Sequence, residues 1–241
     1  MQKNTWHSVD NHPELLFGQY VVPNFVSNSV AIKISDAEFV LISPGEPLLT
    51  PWLSQFSNKI KLHIIFPNSY HHLGVIKWLT QFNDVTLYAS QTAIEQLKHK
   101  GFSNHPILPL ETKQPTLPQG YDILFPPGHR GGDIWLRKQA YSPLTSSIGS
   151  TWITCDSFLN YERMSNQPFA RFMQKILGAA PNLKISQVVK WFILTDRQKF
   201  KSWALNLLKT DNPTTLIPSH GEIQIDSNLA QKIAGIIEQR L

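Results

Sequence analysis

Residues 21–35 alternate apolar and polar side chains, the period of a strand that buries one face. Ser35-Asp36-Ala37-Glu38 has turn chemistry and Phe39-Val40-Leu41-Ile42 is a second apolar run, so the two segments read as a hairpin. Ser43-Pro44-Gly45 stops the hairpin in a tight turn. The period then changes. A short helix is expected over 48–56, with Pro51 tolerated in its first turn. A strand over 61–66, a helix over 73–80, a strand over 85–89 and a helix over 91–100 follow, the last stopped by Gly101. Strand and helix thus alternate after an initial hairpin.

The flanks carry weaker patterns. Residues 1–20 read as an N-terminal surface arm, and 105–120, rich in Pro and Thr, as a surface connection. A second β-rich half begins with a strand over 121–125. It continues through the turn Pro126-Pro127-Gly128-His129-Arg130-Gly131-Gly132 to strands over 133–137 and 149–155. Residues 157–195 read as a mostly helical insertion, with apolar positions at Phe169, Phe172, Ile176 and Leu177. A helix over 196–208, a strand over 214–217 and an amphipathic helix over 229–239 close the chain. Trp78, Trp152, Trp191 and Trp203 read as core residues. No linker divides the sequence, so 1–241 is expected to be one domain of mixed α/β class.

Composition narrows the picture. With 41% hydrophobic and 16% charged residues the chain can bury a substantial core. No apolar run approaches the roughly 18 residues that span a bilayer, and the polar N-terminus has no signal-peptide core. A single cysteine, Cys155, excludes an intramolecular disulfide framework. A cytoplasmic protein with no membrane partner is expected. The net charge of +5 raises the question of nucleic acid. Its main clusters, Lys98-His99-Lys100 and Arg197-Gln198-Lys199-Phe200-Lys201, lie on helices without any recognition motif. They read as solvated helix faces.

Four residues of ligand type fall at the C-terminal ends of predicted strands: His71, His129, Asp156 and His220. Neutral imidazole and carboxylate suit zinc, iron or manganese, and catalytic sites keep a coordination position open for water. Isolated histidines are more often surface or hydrogen-bonded residues, so spacing alone would say little.

Their order and surroundings resemble the metallo-β-lactamase fold superfamily. Ser43-Pro44-Gly45 is similar to that family's Asp-Pro-Gly turn. Anchoring its His-x-His-x-Asp-His-x-x-Gly signature on Gly74 places Phe66, Asn68, Tyr70 and His71 at the four ligand positions. Pro127-Gly128-His129 resembles the family's Pro-Gly-His segment, Asp156 its bridging aspartate and His220 its last histidine. The Pro67-Asn68 pair with His71, His72 and Trp78 further resembles a branch of the superfamily in which Pro-Asn replaces His-x-His.

The resemblance implies a four-layered αββα sandwich. It also implies an altered metal site, because Phe66 cannot ligate, Asn68 is a poor ligand and Tyr70 replaces an acid. A set of His71, Asp156 and His220, with His129 or Tyr70 as a further ligand, would hold one divalent ion (zinc, iron or manganese). Tyr70, Asn68 and His72 are otherwise expected around the ligands, and Arg130 at the mouth to bind an anionic substrate. The function expected is a mononuclear metal-dependent hydrolase of a small-molecule ester, thioester, amide or phosphoester. The alternative is an inactive binding or regulatory protein on the same scaffold, with His71, Asp156 and the other histidines forming a metal-free polar network. Substrate and oligomeric state have no signature in the sequence. Cys155, beside Asp156, reads as a small core residue.

Overall fold

The computed structural model describes residues 3–9, 12–22, 25–139 and 149–241, and divides the chain into two compact units, 1–119 and 120–241. In the first unit the strands are β1 (Thr5–Val9), β2 (His12–Val22), β3 (Phe25–Ser35), β4 (Glu38–Ile42), β5 (Lys61–Ile65), β6 (Val85–Ala89) and β7 (Ile107–Pro109). They pair in sequence order. The first two pairings and the β3–β4 hairpin are antiparallel, whereas β4, β5, β6 and β7 run parallel. Parallel neighbours need a crossover, and α1 (Leu49–Gln55), α2 (Val75–Leu79) and α3 (Gln91–Leu97) supply it.

The central strands β4 and β5 are buried at all but their first residue, as strands covered on both faces must be. The helices close over a cluster of Trp6, Phe39, Trp52 and Trp78, whose rings meet edge to face, Trp52 lying 5.0–5.6 Å from the other three. Ser90 caps α3 by accepting from the Ala93 amide, and the wide turn that follows over Lys98–Phe102 leaves helical geometry at Gly101, which takes φ +98°.

The expected N-terminal arm is instead β-structure. β2 buries Leu15 and Phe17 and pairs along β3 from Leu15 to Val22. Pro13 and Gly18 interrupt the apolar alternation that would have revealed it. Gly18 is needed there, because a Cβ would press on Leu48 at 2.7 Å.

The second unit has β8 (Tyr121–Leu124), β9 (Trp135–Lys138), β10 (Ser150–Ile153), β13 (Pro213–Ile217) and β15 (Gln224–Ile225) in one sheet, ordered β15-β13-β10-β9-β8. In this sheet, among the described residues, only β10 and β13 pair in parallel. A smaller set joins β11 (Leu159–Tyr161) to β12 (Asn182–Lys184) antiparallel and to β14 (His220–Gly221) parallel. The helices are α4 (Pro168–Ile176), α5 (Arg197–Thr210) and α6 (Leu229–Arg240). From α5 and α6, Phe200, Ala204, Ile233 and Ile237 pack with Trp135, Trp152 and Leu216 of the sheet. Residues 157–195 therefore hold two strands besides α4, and are less helical than the sequence suggests. Trp191 is not a core residue: it is 58% exposed. Among the described residues no helix is long and apolar enough to cross a membrane.

Candidate metal centre

In the first unit the candidate residues follow the end of β5. Phe66 continues the strand by one hydrogen bond to the Tyr88 carbonyl, and its ring packs edge-on against Phe102 at 5.0 Å. It is a core residue. Asn68 is fully buried, and its side-chain oxygen accepts from the amides of Tyr70 (2.8 Å) and His71 (3.2 Å). This is an asparagine turn that sets the direction of the chain into His71. Tyr70 is partly exposed with the Lys100 ammonium 4.7 Å from its ring centre, and Lys100 also donates to the Ser69 carbonyl.

His71 is half-buried, with Nδ1 2.9 Å from the Ser43 hydroxyl. Ser43 itself sits at φ +52°, and its carbonyl accepts from Ser29 Oγ. Burial pushes the Tyr20 phenol up in pKa, and the hydroxyls of Ser43, Ser27 and Ser29 partly offset that. Two contacts clamp the Ser43-Pro44-Gly45 turn to the histidine turn. A Cβ on Gly74 would collide with the Pro44 carbonyl, and the Trp78 indole donates to the Gly45 carbonyl at 3.1 Å. His72 turns away: its Nδ1 meets the Tyr70 carbonyl and its ring lies edge-on to Phe102. Burial lowers its pKa, and the Lys100 charge lowers it further.

In the second unit β10 and β13 run side by side, so the residues that follow them emerge together. Asp156 Oδ1 and His220 Nε2 lie 3.3 Å apart, each side chain partly open to solvent. Cys155 points into the core behind them. Burial pushes its thiol well up, the Asp156 and Asp133 charges add to this, and the Ser219 hydroxyl opposes it. A thiol so placed is inert.

His129 follows Gly128, whose φ is +76°. Its side chain is buried, with Nδ1 3.1 Å from Asp133 Oδ2, though off the hydrogen-bond line. Nε2 lies 3.4 Å from Ser157 Oγ, which accepts from the Trp135 indole, and Phe200 packs on the ring at 5.0 Å. Both ring nitrogens thus face protein partners. Arg130 is exposed, and its amide donates to the Ile193 carbonyl.

The sequence reading missed Ser43, Asp133 and Ser157, the partners of the histidines. Asp133 had a usable signal, four residues beyond His129. The two serines had none.

No protein-family model and no curated protein matches the sequence. Solved structures do match. A metallo-β-lactamase from Hirschia baltica aligns with TM-score 0.58 at 14% identity, over 97% of this chain and 98% of its own. A putative diflavin flavoprotein fragment from Nostoc aligns with TM-score 0.59 at 15% identity, over 98% of each chain. This chain has the metallo-β-lactamase fold. A variant of the flavo di-iron protein from Thermotoga maritima gives TM-score 0.62 at 13% identity, over 96% of this chain and 60% of that one. The metallo-β-lactamase fold thus carries proteins named for hydrolysis and for di-iron centres, and these likenesses extend to fold alone.

Proposed function

We propose that this chain is a mononuclear metal-dependent hydrolase of a small ester, thioester, amide or phosphoester, with one zinc, iron or manganese ion bound by His71, Asp156 and His220. The Asp156–His220 pair carries the reading. A carboxylate oxygen and an imidazole nitrogen converge to 3.3 Å at adjacent strand ends while remaining partly open to solvent, a donor set that fits a shared divalent cation. The motif order adds His71 as the third ligand. Its contact with Ser43 holds the ring by one nitrogen, as metal-binding histidines are commonly held.

Such an ion lowers the pKa of a bound water towards neutrality and polarises the bond under attack. Arg130 binds an anionic part of the substrate at the mouth. His129, held among Asp133, Ser157 and Phe200, shapes the wall of the site in preference to acting as a fourth ligand. Tyr70, partly exposed beside His71, is proposed to contact the substrate or to add a ligand.

One observation favours a second reading, a binding or regulatory protein without turnover. Phe66 serves the core and Asn68 serves the turn, so two ligand positions of the family have become structural. Elemental analysis of untagged protein purified without chelator decides between them. The hydrolase reading expects about one metal per chain, lost in His71→Ala and in His220→Ala, with metal-dependent turnover in a screen of esters and phosphoesters. No metal after incubation with zinc, iron or manganese would leave the binding protein. Two metals per chain would overturn the ligand assignment.

A further inference from the structure

α4 presents the wrong face to water. Ala170 is buried against its own unit, yet Phe169, Phe172 and Ile176 are 69%, 58% and 56% exposed, and their spacing puts them on one stripe of the helix. A second apolar group adjoins the end of this helix. The Gln187 amide donates to the Leu177 carbonyl, and the Gln187 side chain accepts from the Trp191 indole at 2.9 Å. Trp191 and Phe192, on the wide helical turn over 189–193, are 58% and 63% exposed. Five large apolar side chains thus stand in solvent within 24 residues.

The charge around them has one sign. Residues 162–201 contain eight Lys or Arg and two acids, a net +6 in a chain whose net charge is +5. One of the acids, Asp196, is engaged in capping α5. Arg171 and Lys175 lie on α4 itself, and Arg197 and Lys190 stand 4.5 and 5.4 Å from the Trp191 ring centre. An amphipathic helix with aromatic residues on one face and basic residues beside it lies in the boundary of an anionic bilayer.

We infer that the 168–192 face attaches the protein to the surface of an anionic lipid bilayer, with Phe169, Phe172, Ile176, Trp191 and Phe192 entering the headgroup boundary and the basic residues meeting lipid phosphates. Charge complementarity selects this occupant. A second copy would bring a like-charged face against it. A single-stranded nucleic acid would stack its bases on open aromatic faces, and Arg197 already covers one face of Trp191. The sequence reading excludes a membrane partner because there is no span; attachment of this kind needs none. The inference is independent of the metal centre.

The test is co-sedimentation of the full chain with phosphatidylcholine vesicles, with and without phosphatidylglycerol. Binding is expected to the anionic vesicles only, to weaken as salt is raised, and to fall about tenfold or more in the triple variant Phe169→Gln/Phe172→Gln/Trp191→Gln. Those residues are exposed, so the variant should keep its circular dichroism and melting temperature. Equal binding by variant and parent, or no binding to anionic vesicles, would overturn the inference. So would concentration-dependent dimerisation, or binding of a single-stranded oligonucleotide, that the triple variant loses while vesicles are ignored.

Discussion

Ser43 Oγ stands 2.9 Å from Nδ1 of His71, and the serine that makes this contact occupies a left-handed backbone conformation at φ +52°. The hydroxyl is held in place by a turn that no ordinary residue adopts without cost. It holds the imidazole by one of its two ring nitrogens.

Ser43→Gly tests that role without adding backbone strain, since glycine accepts positive φ. The variant should keep the fold and bind metal about 10- to 100-fold more weakly, the usual cost of losing a partner behind a ligating histidine. Titration with zinc, followed by calorimetry, measures it. An unchanged affinity would remove Ser43 from the site.

Asn68→Ala should destabilise the protein by roughly 1–3 kcal/mol, because the amides of Tyr70 and His71 lose their acceptor inside the structure. Asn68→Asp keeps an acceptor and should lose less. Urea unfolding of the two variants gives the comparison, and equal losses would show that the acceptor is not what matters.

Glu38 sets a pH dependence far from the site. Its carboxylate is 2.8 Å from the Lys61 ammonium and 2.7 Å from His63 Nε2. The bond to Lys61 first, then that to His63, hold its pKa below the ordinary glutamate value. A depressed folded pKa means that the stabilisation is complete above the unfolded value, about 4.3, and is lost as pH falls through the lower folded value. Glu38→Gln should therefore cost about 1 kcal/mol at pH 7, discounted for partial exposure, and nothing once Glu38 is protonated in the parent. Melting temperatures of both proteins from pH 7 downwards check it: the gap should narrow as the pH falls below the ordinary glutamate range.

Much of this architecture was legible in the sequence. Strands such as Val85–Ala89 and helices such as Leu229–Arg240 carry strong periods, and the structure has them at nearly the expected limits. The ordered motif segments pointed to the metallo-β-lactamase fold, which the solved structures share. What escaped notice depends on contacts distant in sequence. β2 was hidden because Gly18 answers to Leu48, thirty residues away. Ser43 looked like a strand stop because nothing local says that its hydroxyl meets His71. Trp191 looked like core because an indole says nothing about which side of a short helical turn it occupies.

Gly128 ties two pieces of the second unit together. Its carbonyl accepts from the Thr195 amide and hydroxyl, the Arg130 amide donates to the Ile193 carbonyl, and a Cβ at 128 would come within 2.5 Å of the Asp196 carbonyl. Asp196 in turn starts α5 by accepting from the Lys199 amide. The histidine loop is thus riveted to the first turn of a 14-residue helix. A force applied along α5 would be delivered at His129, and the helix and the loop would shift as one lever.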